Sequence, residues 1–544
     1  AQAASLSTDA IESLTTTQAT MLTTSALNAL TSLQIAAMET ADLAALTTAQ
    51  TSKLSTQQVK LLSSDQIVGL TTEQVASLGT AQMAALTSDQ LNSIESRDLQ
   101  ILSTTQLRSL TTAQVSKLTT DQLELLTTEQ MSNMSSRQIG ALTTEQLNGL
   151  ASNNLQALSS DQIRSLSTAQ LSNLSTDQLA LLTTNQVQAL TTAQVTSLTS
   201  EQLNNLTSDE VEALTTAQIK VLTTAQLSNL SSTQLSQMET RDIAALTSAQ
   251  AKVLSTDAIA ALTTEQVQAL TTAALNSLTS VQLAALEVAD VAKLTTAQIN
   301  KLSTAQLNLL STEQVAGMST DQIQALSTAQ FATLSSDQLN NLTSDQIEAI
   351  TTAQIKSLTT TQISKLSDAQ VALLETVDVG ALSSAQVTSL STDAIVALTT
   401  DQIKALTSAA LNALSTDQLS AIEVDDVASL TTAQVRNLST TQLVNLSTDQ
   451  IVALTTEQIA ALSTAQVTTL TSKQINNMAT DDLQALTTAQ IVSLTTALIA
   501  NISTDQISQF STEQLASLTS DQTAALSSDQ IGQLTSDQLT ALPF

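Results

Sequence analysis

Six eight-residue segments of the chain carry the side chains with the clearest potential for chemistry. Each holds a Glu and, three residues later, an Asp, and both fall where we predict that a helix begins. Carboxylates at this spacing can supply oxygen ligands to Ca²⁺, so calcium is the one cofactor that the pattern suggests. The candidate ligands are Glu39 and Asp42, Glu95 and Asp98, Glu239 and Asp242, Glu287 and Asp290, Glu375 and Asp378, and Glu423 and Asp426.

The same pairs also have a structural interpretation, in which each is an altered helix cap that forms a salt bridge with a neighbouring segment. Five of the six pairs are followed in the next segment by a base: Lys53, Arg108, Lys252, Lys301 and Arg436. None of the pairs lies in a dense Asp- and Gly-containing loop of the kind that binds calcium. The sequence therefore favours the structural interpretation over a calcium site.

Other catalytic and metal chemistry lacks the residues that it needs. The chain contains no His and no Cys, so a nucleophilic Ser or Thr would have no ordinary base beside it. Zinc and most transition metals lose their usual ligands for the same reason, and no glycine-rich phosphate loop is present. We predict that the protein is not an enzyme and that it has no catalytic residues.

The carboxylate pairs are substitutions within a repeat of eight residues. This repeat runs without insertion or deletion through the chain. Residues 6–541 hold 67 of these octads, after a lead-in of residues 1–5 and before a truncated copy at residues 542–544. We number the positions of an octad slot one to slot eight. Slot one is usually Leu, slots two and three are usually Ser or Thr, slot five is usually Gln, and slot six is usually Leu, Ile or Val. An unbroken repeat of this kind predicts one continuous solenoid domain.

Slots two to five spell the capping box that begins a helix. In the octad Leu110–Lys117, the Thr111 hydroxyl can accept a hydrogen bond from the backbone N–H of Gln114. The Gln114 side chain can in turn accept from the backbone N–H of Thr111. Leu110 before the cap and Val115 after it then form a hydrophobic staple. One octad thus contains a complete helix start.

A single continuous helix is incompatible with this period. Eight residues exceed two helical turns by about 80°, so the apolar slots would wind around the helix surface without forming a stripe. We therefore predict an all-α fold, an elongated solenoid or superhelix of very short helices with one helix per octad. The alternative is a β-solenoid, because Thr, Val and Ile favour strands. Against it, slots one and six have opposite parity, so one alternating strand cannot bury both.

The surface charge limits the partners of such a solenoid. The net charge is −31 and the isoelectric point is about 4.1, so the chain repels nucleic acid and anionic membranes. No apolar run approaches the roughly 18 residues of a membrane span. Neither terminal octad differs from an interior copy, and exposed solenoid ends favour self-association. The expected partners are further copies of the chain or other components of a cell surface.

The stacked L-[ST]-[ST]-x-Q-[LIV] octads of residues 6–541 resemble the long repeat tracts of bacterial secreted and cell-surface proteins of the adhesin-like type. The resemblance implies an extracellular or cell-surface location and a structural role without catalytic residues. The leading hypothesis is a filament subunit or the stalk of an adhesin. The alternative hypothesis, from a different functional class, is a repetitive surface that binds calcium, ice or glycan.

Overall fold

The computed structural model describes residues 3–544, which divide into two compact units. One unit extends to Leu278 and the other is Thr279–Phe544. After a short 3-10 helix at Ala3–Ser5, the described chain contains 67 α-helices and no strand. The predicted all-α solenoid is therefore confirmed, and the β-solenoid alternative is wrong. Short helices, rather than alternating strands, bury the apolar side chains. The chain changes direction between one helix and the next.

The helix boundaries follow the octad. Every α-helix begins at slot three, from Thr8–Glu12 at one end of the chain to Ser536–Ala541 at the other. Helices of four residues end at slot six, helices of five at slot seven and helices of six at slot eight. The shortest ones are Thr48–Thr51, Thr112–Val115, Ser136–Ile139, Thr176–Leu179, Thr240–Ile243, Thr304–Leu307, Thr328–Phe331, Thr360–Ile363, Thr464–Val467 and Thr504–Ile507.

Most helices start at the predicted capping box. Thr111 is the N-cap of the helix Thr112–Val115, and its hydroxyl accepts from the Gln114 backbone nitrogen at 3.2 Å. The Gln114 Oε1 atom accepts from the backbone nitrogen of Thr111 at 2.7 Å. The register predicted from the sequence is thus confirmed. Because a helix this short does not form alone in water, its stability comes from the caps and from packing.

Slots one and two lie between successive helices, as Leu110 and Thr111 show. Leu110 and Thr111 have ψ angles of 138° and 157°, and the helix Thr112–Val115 follows directly. The Leu118 backbone N–H donates to the Val115 carbonyl at 3.2 Å, which closes the end of that helix. The chain therefore changes direction at slots one and two of each octad.

Slots one and six form the core of both units. Except near the two ends of the chain, their side chains are almost completely buried, including Phe331 in slot six and Phe510 in slot one. Within each unit, helices pack on the helices three octads further along, as Ser136–Ile139 packs on Ser160–Ser165. Gly140 lies in such a contact, since a Cβ there would be 2.8 Å from the Ser165 carbonyl oxygen. A side chain at this position would force the two turns apart.

Candidate functional site

The slot-five glutamines are the most regular buried polar feature of the fold. The Gln114 side chain is 5% exposed, although glutamine is usually a surface residue. Its Oε1 atom belongs to the capping box, while its Nε2 atom donates to the carbonyl oxygens of Met83 at 3.0 Å and Leu86 at 2.8 Å. One side chain therefore caps its own helix and binds the backbone of another turn.

The same hydrogen bonds recur in both units. Gln218 donates to the carbonyls of Val187 and Leu190 at 2.9 and 2.8 Å. Gln354 donates to those of Ile323 and Leu326 at 2.8 and 2.9 Å. The acceptors lie 31 and 28 residues before the donor in each case. Within each unit, one turn of the solenoid therefore takes between three and four octads, and a row of amide groups joins neighbouring turns.

The sequence contained a signal for these bonds that the capping box alone does not explain. A capping box accepts Glu as well as Gln, because only an acceptor atom is needed. The strong preference for Gln in slot five therefore indicates that a donor is also required. That donor is the Nε2 group, whose partner is too distant in sequence for a local motif to identify.

The six candidate carboxylate pairs are split by the fold. Within residues 3–544, five of the six Glu side chains make no cap hydrogen bond to their own helix. At the sixth, Glu287, the backbone N–H donates to Asp290 Oδ2 at 3.1 Å. Glu239 is half-buried and the other five Glu residues are exposed. All six Asp partners are buried, with exposed fractions of 1–5%. The altered cap that the sequence suggested is present, but the two carboxylates of a pair lie in different environments.

Three of the buried Asp residues bind a threonine from another turn. Asp98, Asp242 and Asp378 accept hydrogen bonds from slot-three Thr hydroxyls at 2.6–2.7 Å. The donors, each 26 residues earlier, are Thr72, Thr216 and Thr352. Aspartate carries no N–H group and is one methylene shorter than glutamine, so it joins turns through a side-chain hydroxyl instead of through backbone carbonyls.

Burial raises the pKa of several of these carboxyl groups. For Asp42, burial raises the pKa and the nearby Glu39 charge adds to the effect. For Asp242, burial also raises the pKa, while the Thr216 hydrogen bond and Arg241 act against it. For Asp378, burial and Glu375 raise the pKa and the Thr352 hydrogen bond lowers it. In each case the loss of hydration disfavours the charged form.

In two of these octads, the basic partner of the ion pair is an Arg in slot four of the same octad. Arg241 Nε lies 2.7 Å from Glu239 Oε2 and 4.0 Å from Asp242 Oδ1. Arg97 Nε lies 3.8 Å from Asp98 Oδ1. Both Arg side chains are largely exposed, so these pairs contribute at most about 1 kcal/mol. The sequence had placed the basic partners in the following octad.

The structure does not gather the carboxylates into a multidentate site. Among residues 3–544 there is no group of three or more His, Cys, Asp or Glu side chains that could hold a metal ion. A cation at one of the pairs would have to engage an exposed Glu and a buried Asp together. Calcium binding by the twelve candidate residues stays a prediction.

Two further buried acids in slot five escaped the sequence analysis, because neither is paired with a Glu in slot two. Asp482 follows the N-cap Ala479, and burial together with Asp481 raises its pKa. Glu210 follows the N-cap Thr207 and retains the capping box. Both residues are at most 6% exposed. Comparing slot five across all octads would have identified them, since an acid there replaces a buried amide.

No helix in the described part of the chain is long and apolar enough to cross a membrane.

Comparison with known proteins identifies the repeat. A family model described as the ALTTAQ repeat matches twelve stretches that together cover more than half of the chain. They are residues 35–72, 91–128, 147–184, 235–272, 283–320, 315–352, 371–408, 403–432, 419–456, 451–480, 475–512 and 499–536. None of the curated proteins matches the chain.

One solved structure, described as "Structure of APUM23-GGAAUUGACGG", is 12% identical and aligns over 86% of both chains with a TM-score of 0.13. At that TM-score the likeness carries no argument about fold or function.

Proposed function

Because the chain belongs to the ALTTAQ repeat family, we propose that it is a structural protein of the bacterial cell surface or the extracellular space. Its role would be that of a self-assembling filament subunit or of an adhesin stalk. The observation that supports this proposal is the row of slot-five amides, which join successive turns through buried hydrogen bonds in both units.

The packing and hydrogen bonds of the octad suit a structural role, because they connect each octad to its neighbours. In the octads described above, the two apolar residues fill the core and the glutamine binds both its own helix and the preceding turn. The remaining side chains are small or carry scattered charge. A repeat of this kind transmits contacts only between neighbours, so its length can grow without redesign of the fold.

Self-assembly can be tested by light scattering and negative-stain electron microscopy on the purified chain, with and without residues 526–544. We expect filaments or a mass that rises with concentration, and we expect the truncation to reduce the assembly. A monodisperse particle of 56.7 kDa at high concentration, unchanged by the truncation, would exclude assembly through that segment.

The proposed location has a separate test. Protease added to intact cells of the source organism should digest an extracellular or surface-attached chain while a cytoplasmic marker protein stays intact. Protection of the chain until the cells are lysed would contradict the proposed location. That result would leave the assembly measurement unaffected.

A further inference from the structure

Glu210 lies in the row of slot-five amides, where both neighbouring octads carry glutamine. On one side Gln202 donates to the carbonyls of Leu171 and Leu174 at 2.8 and 2.7 Å. On the other side Gln218 donates to the carbonyls 31 and 28 residues before it. Glutamate has the same shape as glutamine but carries an oxygen in place of the amide nitrogen. In slot five, Glu210 therefore differs from the neighbouring glutamines by one atom and its hydrogens.

The Glu210 side chain keeps the glutamine position. Its Oε2 atom accepts hydrogen bonds from the Thr207 backbone nitrogen at 2.7 Å and from the Thr207 hydroxyl at 2.9 Å. These are the bonds that Gln218 makes through Oε1 to Thr215, at 2.7 and 2.9 Å. The second oxygen of Glu210, Oε1, thus stands where Gln218 carries its donor nitrogen. The residues 31 and 28 positions before Glu210 are Leu179 and Leu182.

That second oxygen is buried without a partner. Glu210 is 3% exposed, and its Oε1 atom has no hydrogen-bond partner among the described residues. An ionised carboxylate at this place would direct a negative oxygen at backbone carbonyl oxygens, which are also acceptors. A buried polar atom without a partner costs about 1–3 kcal/mol, and a charged one costs more. Protonation of Oε1 removes both the charge and the clash between acceptors.

We propose that Glu210 is a proton-controlled link between two turns of the solenoid. With its carboxyl group protonated, the O–H donates to the carbonyl oxygen of Leu179 or Leu182 and replaces the missing amide bond. When the group ionises, the proton passes to solvent and the link is lost.

The surroundings of Glu210 contain few other charges. Its own helix, Ser208–Glu212, carries Asp209 and Glu212, and the helix Thr176–Leu179 carries Asp177. The helices packed against it, Thr184–Ala189 and Ser232–Gln237, carry no titratable residue. No base therefore faces the carboxyl group from these elements, and the charged form gains no ion pair there.

The direction of the pKa shift agrees with this geometry. Burial raises the pKa of Glu210 and outweighs the two Thr207 hydrogen bonds that lower it, while the Asp209 charge raises it further. A folded-state pKa above the unfolded value of 4.5 means that the contribution of Glu210 to stability is complete below that value. The contribution is lost as the pH rises through the folded-state pKa.

Two variants distinguish the effect of the buried Glu210 carboxyl group from the effect of an exposed surface charge. Glu210→Gln restores the residue that the neighbouring octads carry, so it should fold. Glu212→Gln removes the same charge two residues away, where the side chain is exposed. At pH 7 we expect Glu210→Gln to slow hydrogen exchange of the amides in residues 207–214 about tenfold, which corresponds to about 1.4 kcal/mol. Glu212→Gln should not slow it, and at pH 4 the wild-type chain should approach Glu210→Gln.

Carbon-13 NMR of the Glu carboxyl groups provides the second measurement. One resonance, absent in Glu210→Gln, should titrate above the ordinary Glu pKa of 4.5. A Glu210 midpoint at or below that value would overturn the proposal. Equal effects of the two substitutions on exchange, or no slowing by Glu210→Gln at pH 7, would also overturn it. Neither readout depends on assembly or location, so failure here is distinct from failure of the proposed function.

Discussion

In the second unit, Gln354 and Asp378 occupy slot five of octads that are three repeats apart. Both bind an earlier turn, but Gln354 acts as a hydrogen-bond donor and Asp378 acts as an acceptor. Gln354 donates its amide hydrogens to the carbonyls of Ile323 and Leu326 in the preceding turn. Asp378 instead accepts a hydrogen bond from the Thr352 hydroxyl at 2.7 Å. Whether slot five donates or accepts the hydrogen bond between turns thus depends on whether its side chain carries an N–H group.

The difference explains why glutamine predominates. An amide is neutral, satisfies the cap with its oxygen and the preceding turn with its nitrogen, and does so at any ordinary pH. A carboxylate in the same slot must lose its hydration and needs a hydroxyl or a proton in compensation. The acidic octads therefore make the links between turns dependent on pH and on particular threonines.

The largest expected effect in this comparison comes from removing the hydroxyl caps of glutamine octads, which the octad of Asp378 lacks. Replacing slot-two Thr111, Thr119 and Thr127 with Ala should cost about 0.5–2 kcal/mol per site, because each hydroxyl accepts from an N3 backbone N–H at 3.2 Å. The matched change in slot three, at Thr112, Thr120 and Thr128, should cost much less. Urea unfolding followed by circular dichroism measures both, and equal losses would mean that the helix register is wrong.

A slot-three threonine should contribute to stability where its hydroxyl binds a buried aspartate. Thr352→Ala should cost about 1 kcal/mol, since it removes the hydroxyl that binds Asp378. Thr360→Ala is the matched control, because Thr360 occupies the same slot in the next octad and is exposed. Hydrogen exchange of residues 374–382 reports the difference. If the two variants behave alike, the hydroxyl–carboxylate bond does not stabilise the turn.

A smaller effect is expected from the charge of Asp378. Its raised folded-state pKa means that its contribution to stability is complete below the unfolded value of 3.8 and is lost as the pH rises through the folded value. Asp378→Asn should therefore stabilise the local helix at pH 7 by a few tenths to about 1 kcal/mol and lose that advantage near pH 3. Unfolding at both values tests this, and an advantage that grows on acidification would contradict it.

The smallest effect is expected from calcium. If the carboxylate pairs are altered caps, removing calcium with a chelator should leave the melting temperature within about 1 °C, because ligand binding shifts stability only where it favours the folded state. A rise of several degrees on addition of millimolar Ca²⁺, abolished by replacing Asp42, Asp98 and Asp242 with Asn, would instead support the calcium-binding alternative.

Local signals were sufficient to predict the repeating unit. The capping box at Thr111 and Gln114 depends on contacts within one octad, and the burial of slots one and six follows from their regular apolar character. Such contacts depend on hydrogen-bond reach and helical periodicity, which are readable from spacing alone. The exclusion of a continuous helix needed only the mismatch between eight residues and the helical period.

The contacts between turns could not be predicted in the same way. Gln114 binds Met83 and Leu86, and nothing local specifies how many octads complete a turn. That number depends on the bend angle at slots one and two and on the packing of side chains across turns. For the same reason, the sequence analysis did not identify the hydrogen bonds that Thr72, Thr216 and Thr352 donate to buried aspartates.

The claim that slot-five amides join successive turns has a direct test in Gln138→Glu. This change keeps the oxygen that accepts from Ser135 N and removes the nitrogen that donates to the Leu107 and Leu110 carbonyls at 2.8 and 2.9 Å. Gln188→Glu adds the same charge at an exposed position in slot seven. We measure hydrogen exchange around each site at pH 7. The account predicts a local loss of about 1–3 kcal/mol for Gln138→Glu and less than about 0.5 kcal/mol for Gln188→Glu. Equal and small losses at both sites would contradict it.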